Sequence, residues 1–165
     1  MAHIIDGKKI SQEIREQIIA DVALLKEKNN LQPGLAVVLV GDNPASALYV
    51  RMKKKGCEET GIRSFEHVLP GATSEEDLLH LVDRLNGDSS VNGILVQLPL
   101  PEQISEEMII NRIDPIKDVD GFHPVNVGKI VIGDDDCFCP CTPYGIQELI
   151  ARTVPDLKGK HLVVV

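Results

Sequence analysis

An uninterrupted apolar run at residues 35–40, Leu-Ala-Val-Val-Leu-Val, constrains the fold more than any other stretch of the 165-residue chain. A strand covered on one face alternates apolar and polar residues, whereas a run of this kind is typical of a strand buried on both faces. Residues 93–96 predict a second buried strand, and the weak alternation at residues 64–69 predicts a third. Because helices must cover both faces of such a sheet, we expect a largely parallel sheet flanked by helices.

The segments before, between and after these strands show the apolar periodicity of helices. Residues 11–28 predict an amphipathic helix, and Ser74 begins a capping-box pattern ahead of another. Ser105 is expected to cap a short helix that ends near residue 113, and Thr142 to begin a helix that ends near residue 152. The predicted inward residues of the three longer helices are Ile10, Ile14, Ile18, Val22 and Leu25; Leu78, Leu81, Val82 and Leu85; and Ile146, Leu149 and Ile150. The alternation of strands and helices predicts a three-layer α/β domain.

A further helix is predicted at residues 46–57, with Asn43 as its cap, Pro44 at its first position and Gly61 as its stop. Its predicted apolar stripe is Leu48, Met52 and Cys57. Tyr49 and Lys53 are four residues apart and therefore share one face. A ring can stack on a flat substrate, and an amine can move a proton if its surroundings lower its pKa. The alternative is a solvated face, since Lys53 opens a run of three lysines.

Three stretches are expected beyond the carboxyl ends of the strands, where ligands of parallel α/β sheets gather: the loop before the helix at residues 46–57, residues 97–101 and the loop at residues 114–127. Gln97 directly follows the strand predicted at residues 93–96, and its amide can hold a lysine amine or a water, or can merely end the strand. Asp118 and Asp120 lie in the loop Lys117-Asp118-Val119-Asp120-Gly121. A fixed carboxylate suits a ligand edge with adjacent N–H donors, such as a 2-aminopyrimidinone. The alternative is an Asx-turn followed by glycine, and His123 nearby is assigned no role.

Residues 128–132 and 137–139 are predicted to pair as a hairpin around an acidic turn. Cys137, Cys139 and Cys141 would then alternate along a strand, while Cys57 lies on a helix. Paired zinc-binding cysteines are usually separated by two residues, and that spacing does not occur here. We therefore expect reduced thiols and no metal site.

The composition excludes several classes of function. A net charge of −8 argues against non-specific binding to nucleic acid, which needs a basic surface. No apolar run approaches the roughly 20 residues of a membrane span, and the first residues match neither a signal nor a transit peptide. These features predict a cytoplasmic protein, or a domain cut from a longer one. The sequence contains no Gly-x-Gly-x-x-Gly and no Walker motif.

The last stretch, residues 161–165, has the composition of another buried strand. Such a strand normally continues into a turn and a helix. We therefore expect residues 1–155 to form one domain and residues 156–165 to begin a second one.

Taken in order, these motifs resemble the bifunctional methylenetetrahydrofolate dehydrogenase/methenyltetrahydrofolate cyclohydrolase family. The matching motifs are Asn43-Pro44-Ala45-Ser46 with Tyr49 and Lys53; Gly93-Ile94-Leu95-Val96-Gln97-Leu98-Pro99-Leu100-Pro101; Lys117-Asp118-Val119-Asp120-Gly121-Phe122; and Pro140-Cys141-Thr142-Pro143. The resemblance implies an amino-terminal folate-binding domain followed by a Rossmann domain that binds NADP, so the strand at residues 161–165 would be the truncated start of that domain. It also implies a cytoplasmic homodimer that acts on tetrahydrofolate derivatives and serves purine biosynthesis.

The resemblance also implies roles for individual residues. Lys53 would be the catalytic lysine, with Gln97 as its partner, and Asp120 would anchor the pterin ring and complete the catalytic set. Tyr49 would stack on the folate, while Val96 and Leu98 would flank it through backbone contacts.

Two alternatives remain from the sequence: the substrate domain of an amino-acid-dehydrogenase-like protein, and a non-catalytic binding or dimerisation module. A binding module has no need of Lys53, Gln97 and Asp120 together.

Overall fold

The computed structural model describes residues 4–154 and 156–163, and within them three strands and six helices follow one another. In chain order they are α1 (Gly7–Asn29), β1 (Gly34–Val40), α2 (Pro44–Thr60), β2 (Arg63–Leu69), α3 (Glu75–Gly87), β3 (Gly93–Val96), α4 (Glu106–Arg112), α5 (Pro124–Ile132) and α6 (Cys141–Thr153). The three predicted strands and the helices predicted before residue 113 are therefore present, with bounds that differ by a few residues.

The sheet has the order β2-β1-β3, and both pairings are parallel. β1 pairs with β2 over its whole length, from Gly34 opposite Arg63 to Val40 opposite Leu69. A single parallel bridge between Ile94 and Asp118 continues the sheet beyond β3. The expected α/β domain with a parallel sheet is confirmed, and the carboxyl ends of all three strands meet at one edge.

Both faces of β1 are buried, as its apolar run predicts. Ala36, Val38 and Val40 belong to the larger core cluster, which α3 and α4 complete through residues such as Leu78 and Ile109. The smaller cluster on the opposite face is Val37, Leu39, Val50 and Leu95. Helix α2 covers that second face, α1 contacts α2, and α6 contacts α1. The helices thus form layers on both sides of the sheet.

Helix α2 has the predicted ends but a different buried face. Asn43 Oδ1 accepts hydrogen bonds from the backbone N–H groups of Ala45 (3.0 Å) and Ser46 (3.1 Å). Gly61 ends the helix at φ 80°, in the left-handed region that favours glycine. The predicted stripe is wrong at two of its three positions, because Leu48 and Met52 are 52% and 58% exposed. The buried residues are Ser46, Val50, Cys57 and Thr60.

The predicted hairpin at residues 128–139 is also wrong. Residues 128–132 lie in α5, which begins with Pro124 after the cap residue His123 and ends at Gly133 with φ 77°. Those start and stop residues favour a helix over a strand, although the β-branched residues between them favour a strand. Cys137 and Cys139 lie outside any strand, and Cys141 is the first residue of α6.

The carboxyl-terminal part differs from expectation in two ways. Ile146 of α6 is 53% exposed rather than inward, while Leu149 and Ile150 are half-buried. Residues 161–163 form no strand, and Leu162 and Val163 are 72% and 69% exposed. The rest of that predicted strand, Val164 and Val165, lies outside the described residues.

Within residues 4–154 and 156–163, no helix combines the length and apolar character needed to cross a membrane.

Replacing a core leucine tests the assignment of the buried faces. Leu78 is fully buried, so Leu78→Ala should lower the free energy of unfolding by about 2–5 kcal/mol through lost burial and a residual cavity. The matched control is Leu48→Ala, which removes the same atoms from an exposed position and should cost less than about 1 kcal/mol. Urea denaturation measures both variants, and equal losses would contradict the corrected buried face of α2.

Candidate functional site

The carboxyl edge of the sheet brings three segments together. The loop after β1 leads into α2, Gln97 follows β3, and Asp118 pairs in parallel with Ile94 of β3. The chain after Asp118 therefore runs toward the same edge as Gln97. Gly93 permits this approach, since a Cβ atom there would lie 2.5 Å from Cγ1 of Val119. The packing of this loop on β3 places Asp120 near the end of the strand.

Lys53 lies on the inward side of α2, between the buried residues Val50 and Cys57. Ser46, Val50, Lys53, Cys57 and Thr60 are spaced by three or four residues, so they form one continuous stripe. Lys53 is half-buried, whereas Lys54 and Lys55 are exposed. The run of lysines therefore does not form a uniform solvated face, because its first member occupies a position where an apolar residue would normally pack.

The amine of Lys53 meets the side-chain amide of Gln97. Lys53 Nζ donates a hydrogen bond of 2.9 Å to Gln97 Oε1. Gln97 Nε2 donates to the carbonyl of Leu98 at 2.8 Å, and its backbone N–H donates to the carbonyl of Val38 at 2.8 Å. The acceptor oxygen is thus directed at Lys53 by bonds to the neighbouring backbone. Gln97 does more than end the strand.

The environment of Lys53 favours its neutral form relative to a free lysine. Burial lowers the pKa of the Lys53 amine, while the nearby Asp120 carboxylate partly opposes that shift. The next residue behaves in the opposite way. Glu66 lies 3.1 Å from Lys54 Nζ and raises the pKa of that amine. Two adjacent lysines therefore differ in proton affinity because one is inward and the other is paired at the surface.

Cys141 joins Lys53 and Asp120, although the sequence analysis assigned it no role. Its thiol donates to the carbonyl of Val119 at 3.3 Å. Burial raises the pKa of the Cys141 thiol, and Asp120 raises it further, so the group stays a neutral thiol. The only sequence feature that pointed to it was its place in the motif Pro140-Cys141-Thr142-Pro143.

A close backbone contact holds the segment before Cys141 in place. Gly121 has φ 71°, and a Cβ atom there would lie 2.6 Å from the carbonyl carbon of Cys139 and from the nitrogen of Pro140. Only glycine allows this crossing of the two segments.

The two loop carboxylates have different surroundings. Asp120 is half-buried and close enough to Lys53 and Cys141 to influence both, whereas Asp118 is only 3% exposed. Asp118 Oδ2 accepts from the backbone N–H of His123 at 2.8 Å and from Asn126 Nδ2 at 2.9 Å. This is not the Asx-turn considered from sequence, in which the side chain bonds two residues ahead. The structure therefore separates the pair, and only Asp120 joins the group around Lys53.

Tyr49 lies beside the amine on the open side of α2. Tyr49 and Lys53 line a cleft of about 420 Å³ between α1 and α2, which includes Arg15 and Ile18 but neither Gln97 nor Asp120, and Tyr49 is 57% exposed. An exposed ring of this kind is available for stacking on a planar ligand. Val96 is buried at the end of β3, and Leu98 is half-buried beside Gln97.

A larger groove, of about 810 Å³, lies between α1 and α6 and reaches the site only at Cys141. Among the described residues, no group of three or more His, Cys, Asp and Glu side chains is placed to hold a metal ion.

These features define a class: a parallel α/β domain in which a half-buried lysine of a helix meets an amide that follows a strand and lies near a carboxylate of a loop. Residues 5–120 match the family model described as the catalytic domain of tetrahydrofolate dehydrogenase/cyclohydrolase. The chain belongs to this family.

Individual relatives agree with the family match. The chain is 54% identical over 165 residues to the bifunctional protein FolD of Magnetococcus marinus and 55% identical to that of Geotalea daltonii, covering all of this chain and 58% of each relative. The Campylobacter jejuni FolD crystal structure superposes with a TM-score of 0.93 at 47% identity, covering 96% of this chain and 56% of that one. The chain thus spans a little over half the length of the curated relatives that it matches.

A Trypanosoma brucei FolD solved with NADP cofactor and inhibitor has a TM-score of 0.87 at 35% identity, covering 92% of this chain and 52% of that one.

The opposite pKa shifts of the two adjacent lysines can be measured in one experiment. Since the pKa of Lys53 is lowered and that of Lys54 is raised, Lys53 should become reactive toward acetic anhydride at a lower pH than Lys54. Competitive acetylation across a pH series, with each lysine quantified by peptide mass spectrometry, gives both titrations from one sample. Coincident titration curves would contradict the half-buried placement of Lys53.

Proposed function

We propose that this chain is the folate-binding half of an enzyme that interconverts folate-bound one-carbon units. The parent enzyme would oxidise 5,10-methylenetetrahydrofolate to 5,10-methenyltetrahydrofolate with NADP and hydrolyse the product to 10-formyltetrahydrofolate. The observation that carries the proposal is the hydrogen bond of 2.9 Å between Lys53 Nζ and Gln97 Oε1, beside Asp120. Membership of the family supports the same conclusion.

The residues of this chain suit the hydrolytic step. Water adds to the electron-poor methenyl carbon between the two folate nitrogens, and the attacking water must lose a proton. Lys53 can accept that proton because burial lowers the pKa of its amine, and Gln97 Oε1 holds the amine in place. Cleavage of the bond from this carbon to the N5 nitrogen then requires a proton on N5, which the same amine returns. The products are 10-formyltetrahydrofolate and one proton released to solvent.

Binding of the folate would use the other residues of the site. Asp120 can accept two parallel hydrogen bonds from the amino edge of the pterin. The exposed Tyr49 ring can stack on the aromatic part of the substrate. The backbone at Val96 and Leu98 flanks the position between them.

NADP does not fit the residues described here. No Gly-x-Gly-x-x-Gly turn occurs in the sequence, and the amino terminus of α2 is already capped by the side chain of Asn43. We therefore assign NADP to a Rossmann domain of the parent protein beyond residues 1–155, and we derive no hydride step from this chain. The greater length of the relatives and the NADP in the Trypanosoma brucei structure support this assignment.

The alternatives from the sequence analysis are not favoured. The family model and the relatives carry folate dehydrogenase and cyclohydrolase names rather than those of amino-acid dehydrogenases. A module for binding or dimerisation alone would not need the contact between Lys53 and Gln97. We further propose that the parent protein is a cytoplasmic homodimer that supplies formyl groups for purine biosynthesis, without nucleic-acid or membrane partners. The acidic net charge of −8 supports the absence of nucleic-acid binding.

Removal of the amine tests the assignment of Lys53. In the full protein that contains this chain, Lys53→Met should reduce methenyltetrahydrofolate hydrolysis by roughly 10²-fold or more, the usual contribution of a general acid–base group. The matched control, Lys54→Met, removes a lysine that is exposed and paired with Glu66, and it should hydrolyse at close to the wild-type rate. Methenyltetrahydrofolate absorbance follows the reaction. Equal rates for the wild type and Lys53→Met, with both proteins folded, would discard the assignment.

Calorimetry on the 165-residue chain tests whether this domain binds the folate and a second domain binds NADP. The chain should bind a folate weakly and NADP not detectably, because it contains the folate contacts but no dinucleotide turn. Asp120→Asn should abolish the folate heat, since the amide cannot accept two parallel bonds from the pterin. Tight NADP binding would overturn the assignment of NADP to a second domain.

A further inference from the structure

The buried carboxylate of Asp118 has no place in the proposed chemistry. It is 3% exposed, so it cannot reach a ligand in the cleft. Burying a carboxylate is costly unless hydrogen bonds replace its hydration. The N–H of His123 and the amide of Asn126 provide two such bonds to Oδ2. A buried, hydrogen-bonded carboxylate of this kind fixes the groups around it in one arrangement.

Asp118 lies where three parts of the site are joined. Ile94 N–H donates to the carbonyl of Lys117 at 2.7 Å, which attaches the loop to β3. Asn126 Nδ2 also donates to the carbonyl of Pro115 at 3.0 Å, which closes the loop on itself. Because His123 is the cap of α5, the carboxylate of Asp118 also fixes the first turn of that helix.

Asp120 is only two residues from Asp118, so a restraint on Asp118 also restrains Asp120. Gly121 N–H donates to the carbonyl of Asp118 at 3.2 Å, so the chain turns tightly between the two residues. Val119, inside this turn, packs on the smaller core cluster. With Asp118 and Val119 both held inward, Asp120 is directed toward Lys53 and Cys141.

We propose that Asp118 is a positioning residue whose buried carboxylate holds Asp120 in place beside Lys53. This inference rests on the proposed folate function for its kinetic consequences but not for its geometry. Asp118 itself touches neither substrate nor the lysine, and it acts through Asp120.

The kinetic test replaces Asp118 by Asn in the full protein. Both bonds end on Oδ2, so the single oxygen of Asn can still accept from His123 and Asn126. Asn nevertheless removes the charge that strengthens these bonds and places an NH₂ group at the buried position of Oδ1, so the loop should loosen. Asp118→Asn should raise KM for the folate about tenfold and change kcat by less than about threefold, the pattern of lost uniform binding. If Asp118 acts through Asp120, the double variant with Asp120→Asn should be no worse than Asp120→Asn alone.

The control separates positioning from general loss of stability. Ile109→Val removes one methyl group from the core on the other face of the sheet, and it should lower the unfolding midpoint without changing KM. If Asp118→Asn does not fold, Asn126→Ala removes one of the two donors and should give the same KM effect and the same non-additivity. An unchanged KM in a folded variant, or effects that multiply with Asp120→Asn, would overturn the proposal.

A second readout needs no folate. Asp120 raises the pKa of Lys53, so displacement of Asp120 should lower that pKa further. Competitive acetylation should therefore show Lys53 titrating at lower pH in Asp118→Asn, in the same direction as in Asp120→Asn. A shift in Asp120→Asn without one in Asp118→Asn would overturn the positioning role. Absence of methenyltetrahydrofolate hydrolysis in the wild type would refute the proposed function while leaving this titration decisive.

Discussion

The site depends on one hydrogen bond at the end of a sheet ladder, from the backbone N–H of Gln97 to the carbonyl of Val38. This bond continues the pairing of β1 and β3 one residue beyond the strand. Val38 is fully buried in the centre of the sheet, so the position of Gln97 is as rigid as the core. The amide oxygen that meets the Lys53 amine therefore has a fixed position, and the geometry of the candidate site originates in the parallel sheet rather than in a loop.

Asp118 and Asp120 are separated by one residue, but their carboxylates point to different surroundings. Asp118 is enclosed by donors from α5 and its cap, and Asp120 is left half-buried near the amine. In the proposed function, the first carboxylate holds the loop in shape and the second binds the pterin. The same logic holds for Lys53 and Lys54, which share a helix but lie in different environments. In both pairs, neighbouring residues of one type acquire different properties because the backbone directs them to different surroundings.

The sequence determined much of the fold because its patterns were local. The apolar run of β1, the cap at Asn43 and the stop at Gly61 each contain their own physical reason. Helix α5 was missed because its β-branched residues favour a strand, whereas the cap residue His123, Pro124 at the first position and Gly133 at the end favour the helix. The inward turn of Asp118 was also missed, since it depends on Asn126, eight residues further along. Lys53 is an instructive case, since the stripe Ser46, Val50, Cys57 and Thr60 predicts its inward position once the correct face is recognised.

The stripe of α2 also shows how folding stability and activity oppose each other in this domain. An amine sits in line with Val50 and Cys57, at a point where a methyl-rich side chain would fill the space and need no hydration. Such a position weakens the native state, and that weakness is inseparable from the reactivity of the amine, because the same loss of water produces both. Stability alone would favour an aliphatic residue at position 53, so the lysine on this stripe supports the proposed role of its amine.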